Sequence, residues 1–91
     1  MPGLAAAAGE AGRVRGRYFA AAREKIGLAE ETIALPPGVA TLGALRAYLA
    51  QHHPVLAERA IRGAVNQQFA GADSAVAPGD EIAFFPPTTG G

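Results

Sequence analysis

Residues 78–91 read PGDEIAFFPPTTGG, and the arrangement of the rest of the chain is worked outward from that stretch. Pro78-Gly79 suits the central pair of a type II turn, because proline presets the first central φ and glycine accepts the positive φ of the second. The turn leads through Asp80 into an alternating segment, Glu81 to Phe85, which predicts a strand with Ile82 and Phe84 facing a core and Ala83 and Phe85 facing away from it. Pro86 and Pro87 end the strand, since neither has an N–H to offer a neighbour, and they start the exit in an extended, stiff form. Gly90-Gly91 then forms a thread without side chains, able to enter a channel too narrow for a β-carbon and to present the terminal carboxylate to another protein. For a diglycine alone the plain alternative is a frayed terminus.

Upstream, Arg13 to Tyr18 alternates in the same way, with Val14, Gly16 and Tyr18 on one face and Arg13, Arg15, Arg17 and Phe19 on the other. Ala20 to Ile26 is a run of helix formers stopped by Gly27, with Leu28 expected to fold back over the last turn. Glu31 to Leu35 predicts a second strand, placing Ile33 and Leu35 on its inner face before Pro36-Pro37-Gly38 breaks it. Thr41 suits an N-cap, and Leu42, Leu45 and Leu49 make one apolar stripe on a helix expected to run to about His53, where Pro54 stops it. Ile61 to Val65 and Gln68 to Ala70 read as a hairpin around Asn66-Gln67, since asparagine tolerates positive φ. Val76 falls in a connecting loop.

The resulting order is strand, short helix, strand, helix, then three strands. One amphipathic helix covering one side of a mixed sheet is its natural packing. This is an α+β class, β-grasp arrangement over residues 13–85, flanked by an Ala/Gly-rich extension, residues 1–12, expected to be disordered, and by the tail, residues 86–91.

The chain has 91 residues, with 8 Lys+Arg balancing 8 Asp+Glu and no cysteine. Alanine supplies 22 of the apolar residues and leaves 23 larger ones, enough for one compact core layer in a domain of modest stability. No disulfide or thiolate metal site can reinforce it. Neutrality argues against nucleic acid as the main partner, no apolar run approaches a membrane span, and Leu4 to Ala8 lacks the basic start of a secretory signal. A cytoplasmic location is the expectation.

Candidate chemistry inside the body is sparse. Adjacent on a helix, His52 and His53 point about 100° apart and do not easily chelate one metal, so they read as partners of a helix C-terminus. Glu30, Glu31, Asp80 and Glu81 read as solubilising charges at strand borders. No nucleophile–base pair and no phosphate loop is recognisable. The open face is more informative, because parity puts Phe19 and Phe85 on it, joined by Phe69, as a candidate docking surface. The alternative is that loops or the N-terminal residues cover these rings. Arg13, Arg15 and Arg17 share the face, either as a solvated rim or as a group that steers an acidic partner. Ordering a free tail costs on the order of 1–2 kcal/mol per residue, so docking affinity is assigned to the aromatic face and chemistry to the tail.

Tyr18-Phe19-Ala20 with Arg23-Glu24 and Gly27, Thr41-Leu42, Val65-Asn66-Gln67, Gly79-Asp80-Glu81, Phe84-Phe85-Pro86-Pro87 and Gly90-Gly91 together resemble the sulfur-carrier small subunits of molybdopterin synthase, over residues 13–91. That resemblance implies a ubiquitin-like fold and a carrier that is not catalytic alone. A partner related to ubiquitin-activating enzymes would consume ATP to adenylylate Gly91, and sulfur transfer would then give a thiocarboxylate. The tail, with Gly90 behind the reactive carbonyl, would enter the large synthase subunit and donate sulfur to cyclic pyranopterin monophosphate. The resemblance further implies partner contacts for Phe19, Phe69, Phe85 and Arg23, although Arg23 reads equally well as a surface charge. It implies a heterotetramer with two large subunits, and no bound cofactor or metal. Gly16 and Arg17 depart from the larger apolar residues usual in this first strand. Rival readings are a carrier for another pathway, such as thiamine synthesis or tRNA thiolation, a lysine-linked protein modifier, and a passive binding module.

Overall fold

A computed structural model describes residues 12–87, so most of the expected N-terminal extension and the Gly90-Gly91 end lie outside the described residues. In chain order the elements are β1 (Arg13–Tyr18), α1 (Ala20–Ile26), β2 (Glu30–Ala34), α2 (Leu42–Ala50), a 3-10 turn (Pro54–Ala57), β3 (Arg62–Val65), β4 (Gln68–Ala70) and β5 (Glu81–Phe85). They build one sheet of order β2-β1-β5-β3-β4, in which β1 and β5 are parallel and the other neighbours antiparallel. The predicted β-grasp is therefore the observed fold. Pairing starts just before β1, where the Gly12 carbonyl accepts from Leu35 N–H at 2.7 Å.

The alternation of β1 and β5 decides which face is covered. Val14, Tyr18, Ile82 and Phe84 are buried and meet the Leu42, Leu45 and Leu49 stripe of α2 in one cluster, which Val55, Leu56 and Ile61 close at one end. Thr41 caps α2 by accepting from Ala44 N–H at 3.2 Å. The helix stops at Ala50 rather than near His53. His52 and His53 N–H both turn back to the Leu49 carbonyl, and Pro54 keeps His53 out of the helical region, at φ −128° and ψ 81°. Pro54 then opens the 3-10 turn that buries Val55 and Leu56.

The punctuation residues behave as their chemistry predicts, with one exception. Gly27 takes φ 87° and donates to the Arg23 carbonyl to close α1, but Leu28 stays exposed instead of folding back. Asn66 and Gln67 both have positive φ, 50° and 70°, as a two-residue type I′ hairpin requires. The Asn66 side chain also accepts from Glu81 N–H at 2.9 Å and donates to Asp80 Oδ1 at 3.0 Å, tying the hairpin to the start of β5. Gly79 takes φ 91° in the turn before β5, with Asp80 N–H donating back to the Ala77 carbonyl.

Gly16 departs from the larger apolar residue usual at its place in β1, and the structure gives a packing reason. A β-carbon there would stand 2.6 Å from Ile33 Cδ1 and 3.3 Å from the Tyr18 hydroxyl. The missing side chain is the space those two groups fill. No helix among the described residues is long and apolar enough to cross a membrane.

Candidate functional site

The face of the sheet opposite α2 carries the predicted aromatic group. Phe19 leaves β1 in extended geometry, φ −127° and ψ 152°, and its N–H donates to the Phe84 carbonyl, extending the β1–β5 pairing by one residue. Ala20 follows with φ 53°, a left-handed turn that costs about 1 kcal/mol for a residue with a β-carbon and starts α1 immediately after the ring. Phe19 remains 40% exposed and Phe69 81% exposed. Phe69 meets Phe85 edge to face, with ring centroids 5.7 Å apart. The three rings line one groove of about 340 Å³, with Ala64 and Ala83 on its floor.

Charge at this groove is largely internal. The Arg17 guanidinium lies 5.3 Å from the centre of the Phe19 ring and pairs with Glu81 Oε2 at 3.1 Å. Arg15 stands 3.8 Å from Glu30 on the exposed face. Two of the three arginines assigned to steering are thus neutralised by sheet neighbours, and Glu81 is a structural partner rather than a solubilising charge. Asp80 is likewise engaged, accepting from Ala77 N–H at 2.8 Å. Arg23 sits exposed in the last turn of α1 and does not line the aromatic groove. The structure thus brings Phe19, Phe69 and Phe85 together and leaves Arg23 apart. Gly90 and Gly91 lie outside the described residues, but the strand leading to them ends at Phe85, inside the groove.

A second cluster was not anticipated. Tyr18 is 1% exposed, and its hydroxyl donates to Glu31 Oε2 at 2.7 Å. His53 Nε2 lies 2.8 Å from the same oxygen, which places a proton on Nε2 because a carboxylate only accepts. The Tyr18 and His53 rings also meet edge to face at 5.7 Å. Burial pushes the Tyr18 phenol far above its usual range, and the Glu31 charge adds to that. Burial works against the Glu31 charge as well. The hydrogen bonds from Tyr18 and His53 and the nearby imidazoles outweigh it and hold this carboxyl below the ordinary carboxylate range. Glu31 and His53 are therefore joints between β1, β2 and the end of α2, not the surface charge and helix-end partner that the sequence reading makes them. The signal was present in the sequence, because Glu31 has the parity of inward-facing Ile33.

Comparison with known proteins agrees with this fold. The ThiS family model matches residues 17–91. The molybdopterin synthase sulfur carrier subunit of Haemophilus influenzae is 45% identical over 78 residues, spanning 81% of this chain and 94% of that protein. Its namesake from Escherichia coli is 39% identical over 79 residues, with the same coverage. Among solved structures, SAMP1 from Haloferax volcanii superposes with a TM-score of 0.73 at 30% identity, covering 88% of this chain and all of that one. A putative molybdopterin converting factor subunit 1 from Pyrococcus furiosus also gives 0.73, at 28% identity, covering 84% and 98%. With a matching family model over most of its length, close sulfur-carrier relatives and a ubiquitin-like β-grasp, the chain belongs to the ThiS family.

Proposed function

We propose that the chain is the sulfur-carrier subunit of molybdopterin synthase and acts in the cytoplasm with Gly91 as its reactive end. The observation that carries this reading is the position of Phe85. One residue both lines an exposed aromatic groove and ends β5 just before Pro86-Pro87, so docking the groove fixes the root of the tail. Similarity to proteins named as sulfur-carrier subunits supports the same reading.

The chemistry follows from the weakness of a carboxylate as an electrophile. A Gly91 carboxylate oxygen attacks the α-phosphorus of ATP on an activating enzyme, pyrophosphate leaves, and an acyl adenylate forms. A persulfide sulfur on a donor then attacks the acyl carbon and displaces AMP, and a thiol reductant cleaves the resulting acyl disulfide at its S–S bond, leaving a Gly91 thiocarboxylate and a disulfide between the donor and the reducing thiol. Inside the large synthase subunit, which supplies the catalytic side chains, the thiocarboxylate sulfur bonds to cyclic pyranopterin monophosphate, and water then cleaves the acyl–sulfur bond, leaving sulfur on the acceptor and Gly91 as a carboxylate. Phe19, Phe69 and Phe85 provide docking contacts, and Arg23 meets the same partner or the activating enzyme from α1. Two large subunits and two copies of this chain make the working assembly. No bound cofactor is assigned to the chain itself.

Phe69 sets the scale of docking. Fully burying a phenylalanine side chain is worth about 1.5–3 kcal/mol, and Phe69 is available almost whole. A second reading, as a protein modifier, draws on the structural likeness to SAMP1 of Haloferax volcanii, a small archaeal modifier protein. Intact-mass analysis after incubation with the activating enzyme, ATP and a sulfur donor separates the readings. A gain of about 16 Da, oxygen replaced by sulfur at one carboxylate, is expected for the carrier. Lysine-linked conjugates support the modifier, and an unchanged mass refutes both.

A further inference from the structure

Phe69 also borders a second groove, of about 420 Å³, between the start of α2, β3 and the end of β4. Arg46, Arg59 and Arg62 line it, and among the described residues none of the three forms an ion pair with a carboxylate. Arg46 donates to the backbone carbonyls of Leu56 and Glu58, which hold the guanidinium in place without supplying a counter-charge among the described residues. Arg59 and Arg62 are exposed. Of the nearby acids, Glu58 is drawn to Lys25 at 3.4 Å, and Asp73 sits one residue past the groove wall at Ala72. The first N–H groups of α2 do not contribute, because Leu42 and Gly43 already donate to the Ser74 and Ala72 carbonyls at 2.8 and 2.9 Å. What an incoming ligand meets is guanidinium.

The surroundings are tightly built. A β-carbon on Gly63 would stand 2.8 Å from Leu42 Cδ2, and one on Gly43 would stand 2.9 Å from Ala72 Cβ. Arg62, next to Gly63, and Arg46, on α2, are therefore carried by close-packed backbone. In a chain with no net charge, three arginines in one groove with no carboxylate partner among the described residues are a segregation of charge, and such a concavity focuses the field on an anionic partner. The groove is also continuous with the aromatic one. Phe69 lines both, and Arg62 is the register partner of Phe85 across β3 and β5.

We propose that this cationic groove docks an acidic, Asp- or Glu-rich segment of the protein that seats on the aromatic face. The proposal rests on the reading of that face as a docking surface. A protein segment is favoured over nucleic acid because the groove is short and abuts exposed aromatic surface, whereas phosphate-backbone binding needs an extended strip of cations. Arg59 and Arg62 steer and orient the partner, and Phe69 anchors it.

Two measurements decide the matter. In the first, binding of the large molybdopterin synthase subunit to the full chain is measured at low and high salt. R59E/R62E should weaken binding about tenfold at low salt and flatten its salt dependence, since exposed charges are screened beyond about 10 Å at 0.1 M salt. F69A, which removes the ring without adding a charge, should weaken it equally at both salt levels. A salt dependence for R59E/R62E equal to that of the wild type overturns the proposal. In the second, a hexaglutamate peptide is titrated into the isotope-labelled chain. Amide shifts at Arg62, Gly63, Gly71 and Ala72, lost in R59E/R62E and restored in R59K/R62K, are expected. Shifts that survive charge reversal, no shifts at these amides, or tighter binding of oligothymidylate than of hexaglutamate overturn it. If the wild type fails to bind the large subunit, the proposed function falls while the peptide titration still decides the groove.

Discussion

Replacing Glu31 by alanine tests whether the Tyr18–Glu31–His53 cluster holds the sheet to the end of α2. Tyr18 is 1% exposed, its hydroxyl donates to Glu31, and the described residues contain no buried side-chain polar atom without a partner. Glu31→Ala creates one, at a cost of about 1–3 kcal/mol for the stranded hydroxyl. The His53 contact is also lost, but that ring is 17% exposed and recovers part of the loss from water. A net loss of about 2 kcal/mol is expected, equivalent to a Tm lower by roughly 8–16 °C in a domain of this size. Tyr18→Phe removes the donor instead and should cost about 1 kcal/mol. The double variant strands nothing, so it should be more stable than the sum of the single changes by about 1–2 kcal/mol. Urea and thermal denaturation near neutral pH measure all three. Additive single changes, or a Glu31→Ala loss below about 0.5 kcal/mol, would refute the assigned role.

The same cluster predicts an acid dependence with a definite sign. Glu31 is held below the ordinary carboxylate range in the folded chain, so the unfolded chain binds that proton more readily. Its stabilisation is complete above the ordinary range and is lost as pH falls through the folded value. Glu31→Gln removes this contribution, so stability should fall less steeply with acidification than in the wild type.

Three further outcomes are expected. Gly16→Val raises strand propensity but drives a branched side chain toward Ile33 Cδ1, 2.6 Å from the β-carbon position, and should lower stability by about 1–3 kcal/mol in urea denaturation. Gln67→Gly relieves a positive φ of 70° in the type I′ turn and should raise the denaturation midpoint, by about 0.5–1 kcal/mol of stability. If docking is fixed at Phe85 as proposed, inserting two residues between Pro87 and Thr88 should leave binding to the large subunit unchanged while sulfur donation falls, because the proposed reactive end is displaced by up to about 7 Å.

Most of the fold was legible because the period-two alternation of β1 and β5 and the Leu42-Leu45-Leu49 stripe encode burial directly. Gly27, Asn66, Gly79 and Pro86 mark their turns by backbone chemistry that tertiary contacts seldom override. The end of α2 was not legible, since it depends on two N–H groups sharing the Leu49 carbonyl. Glu31 was misread because a carboxylate at a strand border is ordinarily solvated, and residue type outweighed its inward parity. The cationic groove was invisible for a different reason. Its arginines come from α2, from the segment before Ile61 and from β3, and only the packing of α2 on β3 brings them together.

On the proposed function, the position of β5 would let one small domain serve both as a docking body and as the root of a reactive tail. β5 is the middle strand, flanked by β1 and β3, so its carboxyl end is held from both sides rather than left to fray as an edge strand would be. Its alternation sends Ile82 and Phe84 into the core and Phe85 into the aromatic groove, so the stability of the fold and the placement of the docking ring depend on the same backbone. The first residues beyond it are prolines, which need no N–H partner and keep the direction in which the strand releases them. From Pro86 to Gly91 the chain can span at most about 20 Å, so a partner seated on Phe19, Phe69 and Phe85 must carry its chemistry within that radius of the groove. A partner surface that binds these rings but holds its reaction centre farther away is incompatible with sulfur delivery by Gly91.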